Sequence, residues 1–119
     1  MLVKHPWQCP QFQAGDATLL RELLHPRNDA VPLPFSIAHA RLAPGTRSLP
    51  HALSSDEVYY ILRGDGRMHV GSAQRKVAAG DTVHIPPRAR QWIENVGAGD
   101  LEFLAVVGPP WRAEDEAVE

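Results

Sequence analysis

An all-β sandwich or barrel of antiparallel strands is predicted by three observations. After Pro34, turn-forming residues recur about every ten positions, at Pro44-Gly45, Gly64-Asp65-Gly66, Gly71-Ser72, Gly80-Asp81, Pro86-Pro87 and Gly97-Ala98-Gly99-Asp100. Between them lie short runs rich in Val, Ile, Tyr and Phe, side chains that suit a pleated surface. No helix-length periodic segment interrupts these runs, which argues against alternating strands and helices.

The elements follow from the N-terminus. Residues 1–14 mix Pro6, Pro10 and three glutamines with Trp7 and Phe12, and read as an irregular arm with two aromatic anchors. After Gly15-Asp16, the segment ATLLRELLH fits either a short helix or an edge strand; strand is preferred because everything downstream is β. Pro26, Pro32 and Pro34 punctuate a connector. The expected organisation is an arm with its edge element over residues 1–32, a barrel over 33–108 and a charged tail over 109–119, within one domain. The tail, RAEDEAVE after Trp111, reads as a solubilising end.

Twelve basic and fourteen acidic residues leave a formal net charge of −2, no footprint for nucleic acid or an anionic membrane. Cys9 is the only cysteine, which excludes an intramolecular disulfide and a thiolate zinc cluster. No run approaches the ~18 apolar residues of a membrane span, and the first residues lack a signal-peptide core. A soluble, cytoplasmic protein is therefore expected.

Candidate chemistry gathers in GTRSLPHALSSDEVYYILRG, Gly45 to Gly64. His51 and Glu57 flank a short polar turn, and the apolar run from Val58 to Leu62 reads as buried strand. An imidazole and a carboxylate converging beside an apolar interior can hold a metal ion. Alternate strand residues share a face. In RQWIENV the face with Arg90, Trp92 and Glu94 carries two charges and is expected outside, turning Gln91 inward. In SIAHARL, Ile37, His39 and Arg41 oppose Ser36, Ala38, Ala40 and Leu42, and the pattern does not decide which set faces in. Tyr59 shares the face of Glu57. His69 and His84 alternate with apolar neighbours and are expected to face solvent.

These spacings resemble the two signature motifs of the cupin superfamily of small β-barrels. The first family motif runs Gly, five residues, His-x-His, three or four residues, Glu, six residues, Gly. Here it reads Gly45, five residues, His51-x-Leu53, three residues, Glu57, six residues, Gly64. The second runs Gly, five residues, Pro-x-Gly, two residues, His, three residues, Asn. Here it reads Gly80, five residues, Pro86-x-Arg88, two residues, Gln91, three residues, Asn95. The resemblance implies a jelly-roll barrel, a double-stranded β-helix, with a metal site inside and often a homodimeric assembly.

The departures fall on the ligands. The family's usual set is three His and one Glu; this chain keeps His51 and Glu57, with Leu53 at the second His position and Gln91 at the third. Leucine cannot bind a metal, whereas a glutamine carbonyl is a neutral, weaker donor. If His39 faces the lumen, His39, His51 and Glu57 form a two-histidine, one-carboxylate set with Gln91 as a fourth ligand. Such mixed donors accept Fe, Mn, Ni or Zn.

Glu57 and Tyr59 are the candidate proton-transfer residues. Val58, Tyr60 and Leu62 make the opposite face of that strand apolar too, so cover on both sides, and a homodimer, are predicted. Three functions compete: a metal-dependent enzyme acting on a small polar molecule by a dioxygenase, isomerase or lyase type of reaction, a non-catalytic module binding a sugar-like metabolite, and a structural dimer with an empty barrel.

Overall fold

The structure, a computed structural model, describes all of residues 1–119. Eleven strands follow one another: β1 (Gln11–Gln13), β2 (Leu19–Leu24), β3 (Ser36–Leu42), β4 (His51–Leu53), β5 (Asp56–Arg63), β6 (Asp65–Val70), β7 (Ala73–Ala78), β8 (Thr82–Ile85), β9 (Gln91–Asn95), β10 (Leu101–Gly108) and β11 (Glu116–Val118). They form one sheet in the order β1-β2-β3-β10-β5-β8 and a second in the order β11-β4-β9-β6-β7. All recorded pairings are antiparallel. The two sheets form a jelly roll, as the resemblance implies. No helix is long and apolar enough to cross a membrane.

Segment 19–24 is a strand, as preferred from the sequence, and pairs with β3. Two expectations about the flanks are overturned. Trp7 is 79% exposed and Phe12 44% exposed, so neither is a buried anchor; Trp7 instead lies under the Arg21 guanidinium, 5.0 Å from its ring centroid. The charged tail does not float in solvent, because Glu116–Val118 adds a strand to β4. Tertiary pairing supplies what three residues of local pattern cannot announce.

The strands divide into two stretches. Along β5, Ile61 joins the apolar plug, while Tyr59 and Glu57 turn towards a cavity. Along β10, Leu101 sits wholly in the plug, and Phe103, Ala105 and Val107 continue as cavity wall. The opposite sheet contributes Met68, Val77 and Ile93 to the plug. Burying each large side chain of this kind stabilises the fold by about 1.5–3 kcal/mol.

Two motif residues turn out to be structural. Asn95 is buried; its amide donates to the Leu42 and Gly99 carbonyls and its Oδ1 accepts from the Gly97 N–H, which fastens the turn before β10. Gly64 turns β5 into β6 with φ of +91°, and a Cβ there would lie 2.6 Å from the Asp100 carbonyl oxygen. Both the dihedral and the close approach require glycine.

Candidate functional site

The β4 strand presents His51 and Leu53 to the interior, both buried, with Ala52 between them facing out. Register places His51 opposite Gln91 on β9, so the two side chains share the interior face. From the other sheet, β5 brings Glu57 and Tyr59. The expectation that His51 and Glu57 face a common lumen is met: both line one cavity of about 150 Å³, with Tyr59 in its wall. Gln91 turns inward as expected and is fully buried; its Nε2 donates to Glu57 Oε1 at 2.7 Å, and its Oε1 has no partner.

His39 does not join them. In β3 the buried positions are Ser36, Ala40 and Leu42, so His39 lies on the opposite face, where its Nε2 sits 3.2 Å from Glu102 Oε1. A strand whose two faces are both partly apolar left this open, and the short residues Ala38 and Ala40 go inside because bulky side chains from β10 fill the space. His39 as a ligand is therefore corrected. Trp92 lies outside as expected and stacks on His69, ring centroids 4.1 Å apart. His84 is exposed beside Asp56.

Three acidic residues that the motifs did not announce also line the cavity, Asp16, Glu22 and Glu116, and Glu22 is paired with Arg27. Asp16 sits in the turn before β2. Thr18 donates to its Oδ1 from both backbone and hydroxyl, and the Leu49 N–H donates to its carbonyl oxygen, tying the turn to the approach of β4. Its Oδ2 lies 3.6 Å from His51 Nε2. Glu116 reaches the lumen from β11 and accepts from Trp111 Nε1. Trp111 is itself pinned: its N–H donates to Ser36 Oγ and its carbonyl accepts from His25 Nε2.

The imidazole of His51 has a defined tautomer. A carbonyl can only accept, so Nδ1, 2.7 Å from the Leu49 oxygen, carries hydrogen. Nε2 faces the Asp16 carboxylate oxygen, and either a proton or a cation between the two completes the contact. Glu57 is pushed up to about 8, chiefly because burial strips water from its charged form; Asp16 and Glu116 add repulsion, against which the Gln91 hydrogen bond works. Glu116 is also raised, again mainly by burial. Burial holds the Tyr59 phenol well above its ordinary range, so it acts as a hydroxyl.

Whether a metal suits this lumen follows from the donors. No three His, Cys, Asp or Glu side chains meet at one point as they stand. Their chemistry nonetheless favours a cation. An imidazole nitrogen faces a carboxylate, an amide oxygen is buried without a partner, and two further acids are raised chiefly by burial. The residues fit a divalent ion as oxygen-rich, mixed donors.

Residues 38–107 match the Cupin domain family. The chain is 38% identical over 104 residues to the uncharacterized protein MJ1618 of Methanocaldococcus jannaschii, covering 87% of this chain and 82% of that one. It is 38% identical over 71 residues to a Thermotoga maritima protein named an oxalate-binding protein, 59% of each chain. Its fold superposes on a cupin-barrel protein of Salinispora arenicola with a TM-score of 0.79 at 23% identity, covering 96% of this chain and 91% of that one.

Proposed function

The chain belongs to the cupin family, and we propose that it is a metal-binding cupin that takes a small polar molecule into the lumen beside His51 and Glu57. The observation that carries this reading is the convergence of His51, Glu57, Asp16 and Glu116 on one cavity. Of the four carboxyl groups lining this space, Glu22 is paired with Arg27, while Asp16, Glu57 and Glu116 have no cationic neighbour beyond His51, and a divalent ion would offset them.

His51 Nε2 and the Glu57 carboxylate would hold the ion, with the unpartnered Gln91 Oε1 as a neutral donor. A bound divalent ion supplies Lewis acidity towards a substrate oxygen. The chain's own residues do the rest. Leu49 fixes the His51 ring through Nδ1, so that Nε2 always points inward. Glu57 exchanges its proton for a cation or passes it to a ligand, and its level near 8 suits either role at neutral pH. The Tyr59 hydroxyl stands two residues along the same face to orient a ligand. Phe103, Ala105 and Val107 exclude water from one wall.

Size limits the ligand. An engineered cavity of similar volume in another protein admits benzene, so about six heavy atoms fit. Similarity to an oxalate-binding protein favours a second reading, a binder of a small dicarboxylate. A dianion among Asp16, Glu57 and Glu116 is repelled unless a cation bridges it, so this reading also depends on the metal.

Elemental analysis of protein purified without chelator tests the proposal. About one divalent ion per chain is expected, and His51→Ala should abolish loading. Metal-free protein whose melting temperature ignores Mn, Fe, Ni and Zn would overturn it. Self-association belongs to the same reading, since Tyr60 and Leu62 remain 43% and 42% exposed on the outward face of β5.

A further inference from the structure

Two acids of the lumen are each pinned by one oxygen and offer the other. Asp16 Oδ1 accepts from the backbone and hydroxyl of Thr18, while Oδ2 makes no hydrogen bond and faces His51 Nε2 at 3.6 Å. Glu116 Oε2 accepts from Trp111 Nε1, while Oε1 accepts from nothing. The free oxygens belong to neighbouring segments, since a Cβ on Gly15, the residue before Asp16, would lie 3.5 Å from Glu116 Oε1. No lysine or arginine lines the cavity, and His51 is its only basic side chain. Glu22, already paired with Arg27, is not part of this set.

A third acceptor is independent of the acids. Tyr59 is only 2% exposed and lines the same cavity, yet its hydroxyl has no hydrogen-bond partner. The charges of Glu57, Asp16 and Glu116 all bear on it. Buried hydroxyls are partnered in the large majority of cases, so an unpaired one facing an enclosed space marks where a ligand's polar atom goes. The Tyr59 ring packs on Phe103 with centroids 4.4 Å apart, and Trp111 adds a further ring to the wall. Aromatic faces attract cations.

We propose that the lumen binds a small organic ammonium: a protonated primary amine whose N–H groups go to Asp16 Oδ2, Glu116 Oε1 and the Tyr59 hydroxyl oxygen, and whose compact apolar body packs on Phe103, Ala105 and Val107. This rests on the part of the reading above in which the lumen admits a small molecule, and goes beyond it by fixing the sign of the ligand's charge and needing no metal ion. An ammonium brings three donors and one positive charge to three acceptors, and hydrogen bonds to an ionised group are about twice as strong as neutral ones. A free carboxylate would meet like charge from both acids. A neutral alcohol fills the same space but leaves them without a counter-charge. The volume of about 150 Å³ admits a body of about six heavy atoms, nitrogen included.

Titration of the chelator-treated full chain, followed by amide chemical shifts, tests this with probes of similar size: cyclopentylamine, cyclopentanol and cyclobutanecarboxylate. The amine is expected to bind at least tenfold tighter than the alcohol and to shift the amides of residues 14–18, 59 and 116–118. The carboxylate is expected not to bind. Asp16→Asn and Glu116→Gln should each weaken the amine about tenfold, bringing it level with the alcohol, and Tyr59→Phe should weaken it about threefold. An amine that binds no tighter than the alcohol, a carboxylate that binds best, or no shift at those amides with any probe at about 50 mM overturns the proposal. Because the titration is free of metal, such a failure leaves the ion count from elemental analysis to judge the metal reading by itself. An amine preference in a chain that never loads metal overturns the metal reading alone. Should a variant fail to fold, the ranking of the three probes in wild-type protein decides.

Discussion

Gln91 Nε2 donates to Glu57 Oε1 across 2.7 Å, joining the two sheets at a point that water hardly reaches. This bond offsets only part of the cost of burying the Glu57 carboxylate, which is why that group holds its proton to about 8.

A pH dependence of stability follows for the metal-free protein. Unfolded, Glu57 sheds its proton near its ordinary value of 4.5; folded, it keeps it to about 8. Between those values the folded state binds more protons than the unfolded state, so stability falls as pH rises. The loss from this group is on the order of 5 kcal/mol across the window and complete above it. Urea denaturation at intervals from pH 5 to 9 measures it. Glu57→Gln should flatten the slope, and saturating divalent metal should reverse it.

Gln91→His restores an imidazole at the third ligand position of the second motif. Its register opposite His51 puts the new ring on the lumen face. Zn(II) or Ni(II) affinity is expected to rise by tenfold or more, read by competition with a chromophoric chelator. Gln91→Leu should lower affinity and deprive Glu57 of its hydrogen bond. An unchanged affinity in Gln91→His would place the ion elsewhere.

The second motif departs from glycine at Arg88, and the backbone there keeps φ of +68°, the left-handed region that favours glycine. Its N–H donates to the Leu53 carbonyl, so the conformation is held from β4. Arg88→Gly should relieve about 1 kcal/mol of backbone strain. Gly64→Ala should cost about 3 kcal/mol through its dihedral and the close Asp100 carbonyl. Thermal melts of the two variants should move in opposite directions.

The outward face of β5 and β10 exposes Tyr60 and Leu62. Sedimentation at micromolar concentration is expected to give a dimer, and Tyr60→Glu with Leu62→Glu a monomer that still loads metal. A wild-type monomer would show that this face is merely tolerated in water.

Much of this was legible in the chain. Turn spacing announced the strands, and the motifs placed β4, β5 and β9 around His51, Glu57 and Gln91. The paired charges of Arg90 and Glu94 correctly turned Gln91 inward. The side of His39 was not legible, because β3 carries apolar residues on both faces and only the neighbouring bulk of Phe103 and Val107 decides between them. Asp16 and Glu116 were hidden for a different reason. Each lies in a short, polar segment whose local pattern matches solvated chain, and only its pairing with distant residues carries it to the cavity.

The cavity wall thus extends past the residues that define the family. A fragment cut to 38–107 would retain the glycine, histidine and glutamate landmarks but would open the lumen into a trough, missing Asp16, Trp111 and Glu116. Barrels with the same central spacing can therefore diverge in what they hold by changing only the segments that wrap them.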